Sequence, residues 1–80
     1  MKFQANPVIV DAYKITKVLP VEDGGERWLE LDNGSRVFAT LDMMSRMTPC
    51  VGDYWVVQED GYAYLNPASV FERKYSLVKE

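Results

Sequence analysis

The chain has no histidine, one cysteine, and no apolar run near the roughly 20 residues that span a bilayer. Without an imidazole there is no Ser-His-Asp triad, no His-ligated metal and no His acid–base chemistry. Cys50 alone cannot close an internal disulfide, and a Cys-rich zinc site is equally ruled out. Cations are scarce as well: nine Lys and Arg face twelve Asp and Glu, a net charge of −3. Phosphate neutralisation needs a basic face, so direct nucleic-acid binding is not expected. Met1 to Asn6 lacks the apolar centre of a secretion signal. The expected compartment is the cytoplasm, with no membrane partner.

What remains is the composition of a folded protein, 48% hydrophobic and 26% charged over 80 residues. That is enough for one domain, 1–80, with one small core. Pro7-Val8-Ile9-Val10-Asp11-Ala12-Tyr13-Lys14-Ile15 is rich in β-branched and aromatic residues and reads as a strand, with Pro7 at its first position. Thr16 to Glu26 is ambiguous: Val18, Leu19 and Val21 are apolar, Pro20 interrupts helical bonding, and Asp23-Gly24-Gly25 reads as a turn.

Two hairpins follow. Arg27–Asp32 and Ser35–Thr40 flank Asn33-Gly34, the preferred pair for a two-residue type I′ turn. That turn sets Asp32 opposite Ser35, Glu30 opposite Val37 and Leu29 opposite Phe38, with Leu29, Leu31 and Phe38 on the core face. Leu41 to Met47 reads as a short helical turn capped by Thr40 or Asp42, and Pro49 stops it. Tyr54–Glu59 and Tyr62–Leu65 then flank Asp60-Gly61, a second I′ signature. In that register Trp55, Val57 and Glu59 share a face with Tyr62 and Tyr64, and Tyr54, Val56, Gln58, Ala63 and Leu65 take the other. Asn66-Pro67 reads as a helix start, Asn66 as cap and Pro67 as first residue. The helix runs to about Lys74, burying Val70 and Phe71, with Arg73 and Lys74 suiting the negative end of its dipole. Tyr75 to Val78 closes as an edge strand beside Lys79-Glu80. Shifting by 27 residues lays Trp28 on Trp55, Asn33 on Asp60 and Gly34 on Gly61. Shared turn chemistry accounts for this likeness, and a duplicated ββα unit is the alternative.

The expected fold class is therefore α+β: a small antiparallel sheet or partly open barrel built on two hairpins, with one or two short helices, in the order β-ββα-ββα-β.

Little in the chain points to catalysis. Cys50 lies in Thr48-Pro49-Cys50-Val51-Gly52 without an adjacent cation to lower its pKa, and reads as a small apolar residue beside a turn. The serines Ser35, Ser45, Ser69 and Ser76 have no activating partner and sit in no hydrolase motif. The carboxylates Glu22, Asp23 and Glu26, like Asp53, Glu59 and Asp60, lack the spacing of a calcium loop and read as solvated charge. No catalytic residue, cofactor or metal is assigned. The aromatic side chains of the second hairpin carry more information. Tyr and Trp give large contact areas at low entropy cost, so Trp55, Tyr62 and Tyr64, with Glu59 and Asp60 at the end, form the candidate protein-binding set. Packing of the following helix over those rings is the competing reading. The same face could pair with itself in a homodimer.

The run Gly52-Asp53-Tyr54-Trp55-Val56-Val57, then Glu59-Asp60-Gly61-Tyr62, Asn66-Pro67, Phe71 and Tyr75 resembles the closing motif of small proteins encoded by tailed bacteriophages and prophages. Asn6-Pro7-Val8-Ile9-Val10-Asp11-Ala12 is similar to their opening. The resemblance covers a third to a half of the chain and carries over no catalytic residue. It implies a phage gene product acting in the host cytoplasm, or an accessory of the particle. The leading expectation is a non-enzymatic interaction module that binds and inhibits a host protein with a basic surface, as in counter-defence. The alternatives are a structural or assembly accessory of the phage particle and a sponge that binds a small nucleotide between protomers, for which Arg27, Arg36, Arg46 and Arg73 are the only guanidinium groups available.

Overall fold

Eleven consecutive residues, Val8–Val18, form the longest strand, β2, and the rest of the fold is arranged around it. The structure, a computed structural model, describes the backbone of residues 2–5 and 8–77 and the side chains of 9–75. The expected roles of Pro7, Val78 and Lys79-Glu80 lie outside the described residues. Around β2 come β1 (Lys2–Ala5), β3 (Arg27–Leu31), β4 (Arg36–Ala39), β5 (Tyr54–Gln58), β6 (Ala63–Asn66) and β7 (Ser76–Leu77). Two short helices, α1 (Leu41–Met44) and α2 (Ala68–Lys74), follow β4 and β6. All pairings are antiparallel. The strands β4-β3-β2-β5-β6 make a curled half-barrel, and β1 and β7 extend it to seven. The α+β expectation holds, with β1 as an added opening strand.

The central strand outruns its expected length because both of its edges are used. One edge pairs with β5 along Val10 to Lys14. Ile15 continues on that edge, donating its N–H to Asp53 O at 2.8 Å, whereas Lys14 O accepts from Asp32 N on the other. That other edge is shared by β1 along Val8 to Asp11 and by β3 along Ile15 to Val18. A register shift between Ile15 and Lys17 accommodates Thr16.

Alternation along β2 sends side chains to two separate cores. Val10 and Ala12 pack with Tyr54, Val56, Phe71 and Tyr75 beneath α2. Ile15 packs with Leu29, Leu31, Ala39 and Leu65, joined by Tyr13, Trp55, Met43 and Met44 on the side of α1. Both sheet faces are thereby covered, and the single core expected from chain length is divided in two.

Both hairpins adopt a register one residue away from expectation. Leu29 pairs with Val37 and Trp28 with Phe38, and in the second hairpin Trp55 pairs with Leu65 and Val56 with Tyr64. A type I′ turn needs positive φ at Asn33 and Asp60, and no described non-glycine residue has it. The loops instead contain three residues, Asp32-Asn33-Gly34 and Glu59-Asp60-Gly61. Gly34 (φ 85°) and Gly61 (φ 90°) occupy the left-handed position. Gly34 N donates to Leu31 O and Gly61 N to Gln58 O, at 3.0 and 2.9 Å. The side-chain pattern explains the choice. The two-residue turn would set Arg36 beside Leu31 and Asn66 beside Trp55 on core-facing positions. The observed register sets Arg36 against Glu30 in a 2.8 Å ion pair, and Leu65 beside Trp55. Phe38 consequently leaves the Leu29 face and meets Trp28 on the opposite one, ring centroids 5.0 Å apart.

The 27-residue correspondence persists in three dimensions. It maps each β3–β4 pair onto a β5–β6 pair, Gly34 onto Gly61, and the first residue of α1 onto that of α2. The two ββα units lie on opposite edges of β2 and bury opposite faces, Leu29 toward α1 and its counterpart Val56 toward α2.

Candidate functional site

The corrected register redistributes the five residues of the expected binding set. Tyr62 and Tyr64 lie on the α2 face with Gln58, whereas Trp55 points to the other face, half-buried against the Ile15 and Leu65 core. Trp55 and the two tyrosines therefore do not form one surface. Glu59 and Asp60 are exposed at the loop tip, where Asp60 Oδ1 accepts from Tyr62 N at 2.9 Å. This local bond and the three-residue loop hold Tyr62 in place while leaving it 57% exposed. Tyr64 is half-buried against the α2 core, and its hydroxyl shares a 3.1 Å hydrogen bond with that of Tyr75. Helix α2 thus covers part of the tyrosine face and leaves the tip open.

Asp53 anchors α2, a role expected of Asn66. Its Oδ1 accepts from Ala68 N at 3.0 Å and its Oδ2 from Cys50 N at 3.1 Å, tying the helix start to the turn before β5. Pro67 occupies the N-cap position and makes no side-chain cap bond. Asn66 remains in β6, paired with Tyr54. The start of α1 follows expectation: Thr40 Oγ1 accepts from Met43 N at 3.3 Å. That helix ends at Met44, ahead of the expected Met47, where Ser45 Oγ and N both donate to Asp42 O. Within α2, Phe71 is fully buried between Tyr54 and Tyr75 at centroid distances of 4.2 and 4.7 Å. Val70, expected in the core, is 39% exposed and lines a surface groove. Cys50 is exposed beside its turn and not packed as a small apolar residue.

Two phenols feel this packing. Burial, the hydrogen bond donated by Tyr54 Oη to Glu72 Oε2 (2.8 Å) and the nearby carboxylate charge push the Tyr54 phenol up to about 12. Burial and the Tyr75 hydroxyl push Tyr64 up as well. Neither phenol ionises near neutral pH.

Beside the tip, a groove of about 490 Å³ runs between β6 and α2. Tyr62, Tyr64, Gln58 and Asn66 come from the hairpin, Lys74 from the last turn of α2, and Arg46 from the segment after α1. The rings of Tyr62 and Tyr64 stack at 6.1 Å. Sequence reading counted Arg46 with Arg27, Arg36 and Arg73 as a guanidinium group available to an anion but could not place it at this edge, and treated Lys74 as a helix-end charge. Gln58 was within reach, since a three-residue loop pairs it with Tyr62.

No protein-family model, curated protein or solved structure matches the chain. Among the described residues, no group of three or more His, Cys, Asp or Glu is placed to hold a metal ion, and no helix is long and apolar enough to cross a membrane.

Proposed function

We propose that this protein is a non-enzymatic interaction module that binds and modulates a protein of the host cell, with the tip of the β5–β6 hairpin as its contact. The observation that carries this reading is Tyr62, a large ring 57% exposed on a hydrogen-bonded loop between the exposed carboxylates of Glu59 and Asp60 and the tyrosine face. A pre-ordered aromatic residue loses little entropy on docking, and aromatic residues are enriched at interface hot spots. The two carboxylates suit a partner with a basic surface and raise the association rate more than the affinity. Trp55 serves this surface from behind, by packing the opposite face of β5. Tyr64 supports Tyr62 by stacking. The setting in phage infection, with counter-defence as one role, rests on the motif resemblance alone.

The test is capture of a partner from host lysate by immobilised protein, followed by kinetics on the isolated pair. Tyr62→Ala should cost about 2 kcal/mol, a loss of roughly thirtyfold in affinity, with the fold intact. Glu59→Lys should slow association and weaken its salt dependence. Undiminished capture by Tyr62→Ala would sink the assignment of the tip.

A further inference from the structure

The groove between β6 and α2 has a composition that protein docking at the tip does not require. The chain carries more carboxylates than cations, yet this groove is lined by two cations, Arg46 and Lys74, and by no carboxylate. Among the described residues neither cation forms an ion pair, although Lys74 Nζ lies 5.8 Å from the centre of the Tyr75 ring. Asp42 lines an adjoining smaller groove that shares Arg46, Tyr62 and Tyr64. Unpaired guanidinium and ammonium groups in a groove with no carboxylate in its own lining favour an anion. The rings add a second requirement. Tyr62 offers an accessible aromatic face, stacked on Tyr64, against which a planar group can lie. A third comes from the amides: Gln58, whose side chain also bonds to the Tyr64 hydroxyl, and Asn66 line the same groove and carry donors and acceptors able to pair with the edge of a heterocycle. The exposed side chain of Val70 completes an apolar wall. A volume of about 490 Å³ falls within the range of small-ligand sites.

We infer that this groove binds a small nucleoside phosphate, its base stacked on Tyr62 and its phosphate held by Arg46 and Lys74. An acidic peptide would satisfy the cations but leave the amides and the flat ring face without a defined role. The inference goes beyond the protein-binding reading and does not rest on it, since Arg46 and Lys74 belong to the groove and Glu59 to the tip.

Calorimetric titration of the purified protein with mono- and triphosphates of the four common ribonucleosides tests it. Ribose 5-phosphate, inorganic phosphate, free nucleosides and a glutamate-rich peptide serve as separate arms. At least one nucleotide should bind, with ribose 5-phosphate and the matching free nucleoside each about tenfold weaker or more. Arg46→Ala and Lys74→Ala should each weaken that nucleotide about tenfold. Tyr62→Ala should do the same, and Tyr62→Trp should retain binding. The substituted side chains are exposed, so an unaltered melting temperature without ligand verifies the fold. No binding up to millimolar nucleotide overturns the inference. So does phosphate binding as well as nucleotide, peptide binding alone, or nucleotide binding that survives the Arg46 and Lys74 substitutions.

Discussion

Asp53 connects two parts of the chain through one carboxylate, capping α2 with one oxygen and closing the turn at Cys50 with the other. Asp53→Ala should therefore destabilise the fold by about 1–2 kcal/mol, the range for a lost cap, with the m-value unchanged. Asn66→Ala should stay within about 0.5 kcal/mol because that side chain caps nothing. Urea denaturation of the two variants checks both. Tyr54 makes a pH-dependent contribution. Its native phenol is raised to about 12 from the ordinary 10.0, so the unfolded chain ionises first as pH rises. The stability it supplies is complete below about pH 10 and is lost as pH climbs through the native value. Tyr54→Phe should cost about 1 kcal/mol at neutral pH, through the lost bond to Glu72, and should flatten the alkaline fall in stability. Tyr64, raised in the same direction, keeps a residual slope.

At the scale of elements, a three-residue loop ends each of the two hairpins and governs which residues face outward. Gly34 and Gly61 have positive φ, and a Cβ at either would meet nothing within 4 Å. The cost of Gly34→Ala or Gly61→Ala is then one of backbone conformation alone, about 1–2 kcal/mol and nearly equal at the two sites. Asn33→Gly separates this geometry from a two-residue turn. It would relieve positive φ in the latter, but here it should give no stabilisation, since Asn33 is not left-handed and its Oδ1 already accepts from Ser35 N and Oγ. Thermal or denaturant midpoints of the three variants read these outcomes. The matched registers and helix starts of the two ββα units also show where they diverge. The second unit lays a seven-residue helix over its buried face, whereas the first has a four-residue one.

For the whole molecule, β2 is the element on which stability converges, because its alternate residues enter both cores. Removing Leu29 from one core or Phe71 from the other should cost roughly 3–5 kcal/mol, as cavity-forming truncations do. Each should lower the same cooperative transition, since neither core retains its β2 wall when the other opens. Hydrogen exchange at the amides of Val10 to Ile15 checks this in Leu29→Ala and Phe71→Ala. Equal loss of protection across that stretch is expected, and two separable transitions would show that the cores are independent.

The antiparallel α+β character, the two hairpins, the Thr40 cap and the order of most elements were legible in the residues, because β-branched runs, Asn-Gly and Asp-Gly pairs and capping side chains act over a few positions. Pairing register was not legible from the turn dipeptide, which serves a two- and a three-residue loop alike. The choice fell to Arg36 and Asn66, which the alternative would have placed on core-facing positions. With that one-residue shift, Phe38, Tyr62 and Tyr64 changed faces, Trp55 parted from the tyrosines, and the expected binding set divided. The cap from Asp53 and the approach of Arg46 to the tyrosine pair lay equally beyond local reading. Both depend on segments far apart in the chain being brought together by burial of apolar surface, which has no local sequence signature. The sequence by itself determined which short segments would extend, turn or coil. Only the tertiary structure decided which faces they present, because side-chain direction in a sheet follows from pairing, and pairing is selected by the whole core.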